Sequence, residues 1–284
     1  MSKIFTESKE PENVPRCKEI IRGGSGYDLR TTLPPEIEHI YPDYSLYPDY
    51  TKDTAYGWLT RGCPRCNHNS FCITPEKDGR KSIKVADLTE FWNGQKNIVL
   101  YDQNILACAD KMDLLQQLAD SQANVEFNGG MDVRFLDDDV IAALRKIKVR
   151  DYHFAWDDPK ENLLNKFIEF KESGLKNPNQ VGVYVLVNHW SSHFEDLYRI
   201  YSLRALGYMP FVMIYDKQKF VDSNGRWLAD VEQKYTVEQL RHFKICQHMQ
   251  RWCGNRKLIK SSPNFEQYKP FETWKEKGMT VPGM

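Results

Sequence analysis

Three of the seven cysteines, Cys63, Cys66 and Cys72, fall within ten positions in the stretch TRGCPRCNHNSFC. Thiols this close, set behind a Gly and a Pro and among polar residues, read as metal ligands rather than accidental core residues. Sulfur donors select zinc or an iron–sulfur cluster. With His68, the three cysteines would complete the tetrahedral N/S3 set of a zinc knuckle. Three thiolates alone would leave one position of an iron–sulfur cluster open. A second group of polar residues follows strand-like runs farther along: Asp102 and Asn104, then Asn128, Asp132 and Arg134, then Asp157, then Asn188. Each residue alone reads equally as a helix cap, a turn residue or a solvated charge. Their shared placement is what suggests a common ligand.

The elements that must carry these residues alternate. Short apolar runs (AYGWLT, NIVLYDQ, VEFNGG, DYHFAWD, VGVYVLV and MPFVMIYD) have strand character, and five of the intervals behind them have helical periodicity. In CADKMDLLQQLADS, Met112, Leu115, Leu118 and Ala119 share one helical face. In DDDVIAALRKIK, acidic residues open the segment and basic residues close it, as the helix dipole favours. A further helix is expected to open at Asp157, Asp158 and Pro159 and to stop at Gly174. This βα alternation predicts an α/β fold with parallel strands joined by right-handed crossovers, either a doubly wound sheet or a partial barrel. Ligands of such folds gather at the C-terminal ends of the strands, where the cysteine loop follows the first run. Residues 1–54, rich in Pro and Tyr, read as an N-terminal arm, 55–217 as the core, and 218–284 as a helical extension with a helix over roughly Thr236–Cys253. In that extension Cys246 and Cys253 read as buried structural cysteines. His189 and His193, four apart after the fifth run, read as rim or surface residues without the Glu of a helical zinc-protease motif.

The stretches YGWLTRGCPRC, FCITPEKDGR, IVLYDQNILAC, VEFNGGMDVRFL and DYHFAWDDP together resemble the radical S-adenosylmethionine superfamily, from about Ala55 to Asp216. The resemblance implies a partial (β/α)6 barrel in which Cys63, Cys66 and Cys72 hold a 4Fe–4S cluster and its free iron binds S-adenosylmethionine. Reduction of the cluster, by a partner such as flavodoxin or ferredoxin, would cleave the sulfonium to a 5'-deoxyadenosyl radical acting on an unknown substrate. By the same resemblance Phe71 would lie against the adenine, Asp102 or Asn104 would face the methionine amino group, and Asn128, Asp132 or Arg134 would approach the ribose or carboxylate. Asn188 would face the same ligand from the fifth strand. The chain departs from the family's spacing of three and two residues between successive cysteines, having two and five. The loop is longer by two residues and its middle ligand is displaced.

Composition narrows the setting. The 284 residues are 41% hydrophobic and 13% aromatic, and 39 basic residues balance 39 acidic ones, so no net charge draws the chain to nucleic acid or an anionic membrane. Arg241, Lys244, Arg251, Arg256, Lys257 and Lys260 read as a solvated helix face or a local contact for a nucleic-acid or phosphorylated substrate. The polar N-terminal stretch has no apolar export segment, no run approaches a membrane span, and the odd, clustered cysteines suit a reducing cytoplasm.

Overall fold

The computed structural model describes residues 3–270 except 4, 5, 7, 11, 15, 66–70 and 269. It is an α/β structure built on parallel sheets, and the chain divides into two compact units, one of residues 1–129 with 142–150, the other of 130–141 with 151–284.

The first unit contains β1 (Thr54–Gly57), β2 (Thr60–Arg61), β3 (Ile83–Lys84), β4 (Asn97–Leu100), β5 (Asn124–Phe127) and β6 (Lys148–Val149). β1, β4, β5 and β6 form a parallel sheet in that order, with Thr54 opposite Asn97 and Leu100 opposite Phe127. Because strand side chains alternate between faces, the sheet has two unlike surfaces. Ala55, Ile98, Leu100, Val125 and Phe127 are buried. The helix Lys111–Ser121 contributes Leu114, Leu115, Leu118 and Ala119 to the same core. The opposite face carries Tyr56, Asn97, Tyr101, Asn124, Glu126 and Arg150, half-buried or exposed around a cavity of about 300 Å3. A sheet covered by helices on both sides would be apolar on both; this one is polar on its second face.

The second unit contains β7 (His153–Ala155), β8 (Gly182–Val187) and β9 (Met209–Ile214), a parallel sheet in that order. The helix Leu164–Ser173 crosses from β7 to β8, and His193–Ala205 crosses from β8 to β9. Phe167 and Phe170 from the first crossover meet Phe154, Trp156 and Tyr208 in an aromatic core, with ring centroids 4.9 to 6.5 Å apart. The Tyr208 hydroxyl is satisfied there by donating to the Phe167 carbonyl (2.6 Å). The helix Val237–Cys253 starts at a Thr236 capping box with Gln239, within a residue of its expected start. Its Gln250 side chain donates to the Val212 carbonyl of β9 (2.8 Å).

All six expected strands are present, and every pairing among them is parallel. The expected helix opening at Pro159 is not. The helix begins at Leu164, because Asp158 Oδ1 accepts the Lys160 N–H to close a turn and the Glu161 carbonyl accepts the Trp156 indole N–H (2.9 Å). Met112 is 41% exposed, and Leu114 takes its expected place in the core. No helix among the described residues is long and apolar enough to cross a membrane.

Candidate functional site

Within the first unit the cysteine loop connects β2 to β3, an antiparallel pair in which Thr60 faces Lys84 and Arg61 faces Ile83. Three consecutive residues after β4 grip this excursion. Asp102, 3% exposed, accepts from Thr60 N (2.5 Å) and Thr60 Oγ1 (2.6 Å) on Oδ1 and from Leu59 N (3.1 Å) on Oδ2. Gln103 accepts from Gly62 N (3.3 Å) and donates to Asp78 (2.9 Å). Asn104, 1% exposed, donates from Nδ2 to Cys63 Sγ (3.5 Å). Gly129 lies against this clasp: a Cβ there would stand 2.0 Å from the Asp102 carbonyl oxygen, so only glycine fits.

Cys63 is buried, and its sulfur also accepts the Arg65 N–H (3.4 Å). Its own N–H donates to the Gly79 carbonyl (3.2 Å), closing the loop's base. Two N–H groups thus converge on one sulfur, the kind of outer-sphere donor that orients a metal-ligating side chain. Cys72 is half-buried and donates to Thr74 Oγ1 (3.2 Å), while Phe71 beside it is 38% exposed. Cys66 and His68 lie outside the described residues. A soft, N–H-supported thiol at a rigid loop base fits an iron–sulfur or zinc ligand equally in its donor chemistry.

Gly62, immediately before Cys63, has φ +88°, and a Cβ would stand 2.1 Å from the Lys81 carbonyl oxygen. Gly62→Ala is therefore expected to cost at least about 1–2 kcal/mol from the backbone conformation alone, and to lower the urea midpoint; an unchanged midpoint would show that the loop base is soft.

Burial pushes the Asp102 carboxyl up to about 6, opposed by the Thr60 hydroxyl and the Leu59 and Thr60 N–H groups. With the folded value above the ordinary 3.8, the folded state holds the extra proton between the two. The stability from this group is complete below about 4 and lost as pH rises through about 6, a span of up to about 3 kcal/mol. Chemical denaturation at several pH values should show stability falling across that window, and Asp102→Asn should remove the slope.

The remaining expected residues are distributed differently. Asn128 is exposed and lines the cavity on the polar sheet face of the first unit. Asp132 and Arg134 belong to the second unit, where Asp132 accepts from Arg134 Nε (2.9 Å) and Nη2 (2.7 Å), and Arg134 Nη1 reaches Glu161 (2.5 Å). Asn188 takes a left-handed φ of 64°, donates from Nδ2 to the Tyr215 carbonyl (2.9 Å), and lines a cavity of about 450 Å3 with Tyr215, Lys219, Glu238 and His242. Asp102, Asn104 and Cys63 are thus brought together, while Asp132 pairs with Arg134. Gln103 and Gly129 are parts of the clasp that spacing alone does not single out. The available signal was that DQN follows a strand and GG follows the next. No family model matches the chain, and neither a curated protein nor a solved structure matches it.

Proposed function

We propose that the chain is a radical S-adenosylmethionine enzyme, with Cys63, Cys66 and Cys72 holding a 4Fe–4S cluster at the rim of a partial (β/α)6 barrel. The observation that carries this reading is the clasp of Asp102, Gln103 and Asn104 on the cysteine loop, which ends in a side-chain N–H donor at Cys63 Sγ. N–H donors to sulfur are among the groups that tune the potential of an iron–sulfur centre. The polar second face of the first sheet supports it too, as the inward face of a barrel wall with room for a polar ligand.

When bound, the cluster and S-adenosylmethionine supply reductive cleavage of the sulfonium, with electrons from a small redox partner such as flavodoxin or ferredoxin. The chain's own work is positional. Asp102 fixes the loop's entry, Asn104 directs an amide N–H at the thiolate, and Phe71 offers an exposed ring beside Cys72 for a heteroaromatic face. Asn128, with Tyr56, Tyr101 and Glu126, presents donors and acceptors on the polar sheet face.

The test is anaerobic reconstitution of the full chain with iron and sulfide, then dithionite and S-adenosylmethionine. Brown protein that releases 5'-deoxyadenosine, identified by liquid chromatography and mass spectrometry, is expected. Colourless protein that retains zinc and releases none would replace this function with a zinc-stapled loop.

A further inference from the structure

We propose a second metal site in the second unit, separate from the cysteine loop, in which His193, His242 and Cys246 bind one divalent cation of the zinc class. The helix Val237–Cys253 places His242 and Cys246 four apart, hence on one face, and the helix His193–Ala205 begins with His193 behind its Ser192 cap. One donor atom from each of the three residues lies within 4.8 Å of the others. A tetrahedral cation with nitrogen ligands at about 2.0–2.1 Å and sulfur at about 2.3 Å needs donors separated by roughly 3.3–3.8 Å. Rotamer adjustments of about 1 Å would close the set.

The second observation is a buried imidazole whose ring nitrogens find no partner: His193 is 2% exposed, and among the described residues neither ring nitrogen has a hydrogen-bond partner. Its ring stacks on His242 with centroids 4.0 Å apart, an arrangement that offers two nitrogen donors to one point. Asp196, fully buried, accepts on one oxygen from Ser191 Oγ (2.5 Å) and Arg199 Nη2 (2.6 Å), while Oδ2 has no hydrogen-bond partner among the described residues and lies 3.8 Å from His193 Nδ1. Buried polar atoms are nearly always satisfied, so three orphans at one place point to a missing ligand. With Nε2 on the cation, Nδ1–H would face Asp196 Oδ2, the carboxylate–histidine–metal relation that fixes tautomer and orientation. Cys246 is fully buried, and burial with the nearby Asp196 pushes its thiol well up despite the Asn188 backbone N–H directed at it, so a bound cation must displace that proton.

Two imidazoles and a thiolate exclude magnesium and calcium, which take oxygen, and suit zinc, cobalt(II) or nickel(II). His242 also lines the cavity of about 450 Å3. A fourth coordination position on that side is open to water or a small anionic ligand.

The probe is cobalt(II), added to the full chain carrying Cys63→Ala, Cys66→Ala and Cys72→Ala, so that the loop contributes no thiolate. One equivalent should give a thiolate-to-cobalt charge-transfer band with tetrahedral d–d absorption. Adding Cys246→Ser should abolish the charge-transfer band. Adding His242→Ala, at a half-exposed position that folding tolerates, should weaken binding at least about tenfold with unchanged circular dichroism. No charge-transfer band in the chain lacking the loop thiols, or a band indifferent to both further changes, overturns the site. Because the loop thiols are absent throughout, failure here leaves the cluster proposal standing, and the reverse.

Discussion

Cys63→Ala is expected to reduce bound cluster iron and 5'-deoxyadenosine release to background while leaving the fold in place. The sulfur is buried and two N–H groups converge on it, from Arg65 and from Asn104, so a substitute ligand has no prepared position there. Removing one sulfur from a largely loop-bound site leaves a small void costing about 1 kcal/mol, well short of typical domain stability. Circular dichroism and the urea midpoint should therefore stay close to the unaltered protein, and the iron and sulfide content should not. Asn104→Ala supplies the graded comparison. It deletes one N–H to sulfur without removing a ligand, so the cluster should assemble with a lower reduction potential, because the donor stabilises the more negative reduced state. Full cluster content in Cys63→Ala would mean that the thiol is structural, and the cluster assignment would fall.

The strands were legible because each is a run of β-branched, aromatic or aliphatic residues between turn signals, and such runs as VGVYVLV and MPFVMI have no competing helical period. The helix Val237–Cys253 was legible for a different reason: Thr236 and Gln239 form a capping box that can be read from their spacing. β2 and β3, two residues each, were not. Two-residue runs such as TR and IK are too short to mark a strand, and their pairing is braced by Asp102, which holds Leu59 and Thr60 from more than forty residues away. The same limit hid the roles of the polar residues. Asp102, Asp132 and Arg134 look alike on paper as polar groups after strands, yet Asp102 clasps a loop and Asp132 is matched to Arg134. The cluster of His193 with His242 and Cys246 joins residues about fifty apart on two helices. Sequence spacing grouped His193 with His189 and Cys246 with Cys253 instead, since only local periodicity was available to group them.

Arg199→Met should destabilise the protein by about 3–5 kcal/mol, a large share of the stability of an ordinary domain. Arg199 has no exposed surface, and its guanidinium is fully committed: Nη1 donates to the carbonyls of Trp156 (2.7 Å) and Asp157 (2.8 Å), Nη2 to Leu186 (2.9 Å) and Asp196 (2.6 Å), and Nε to Glu195 (3.3 Å). The Trp156, Asp157 and Leu186 carbonyls stand at or just beyond the ends of β7 and β8, so one side chain ties two strand ends to the crossover helix that leads to β9. Methionine keeps most of the apolar stem but strands Asp196, also without exposed surface, as a buried charge with no cation. Lysine should recover only part of the loss, because a single ammonium cannot reach carbonyls on three sides. The double change Arg199→Met with Asp196→Leu removes both charges, and it should be more stable than Arg199→Met alone by at least about 1 kcal/mol. A double variant no more stable than the single one in urea titration would show that the carbonyl bonds, rather than the paired charge, dominate the energetics of this tie.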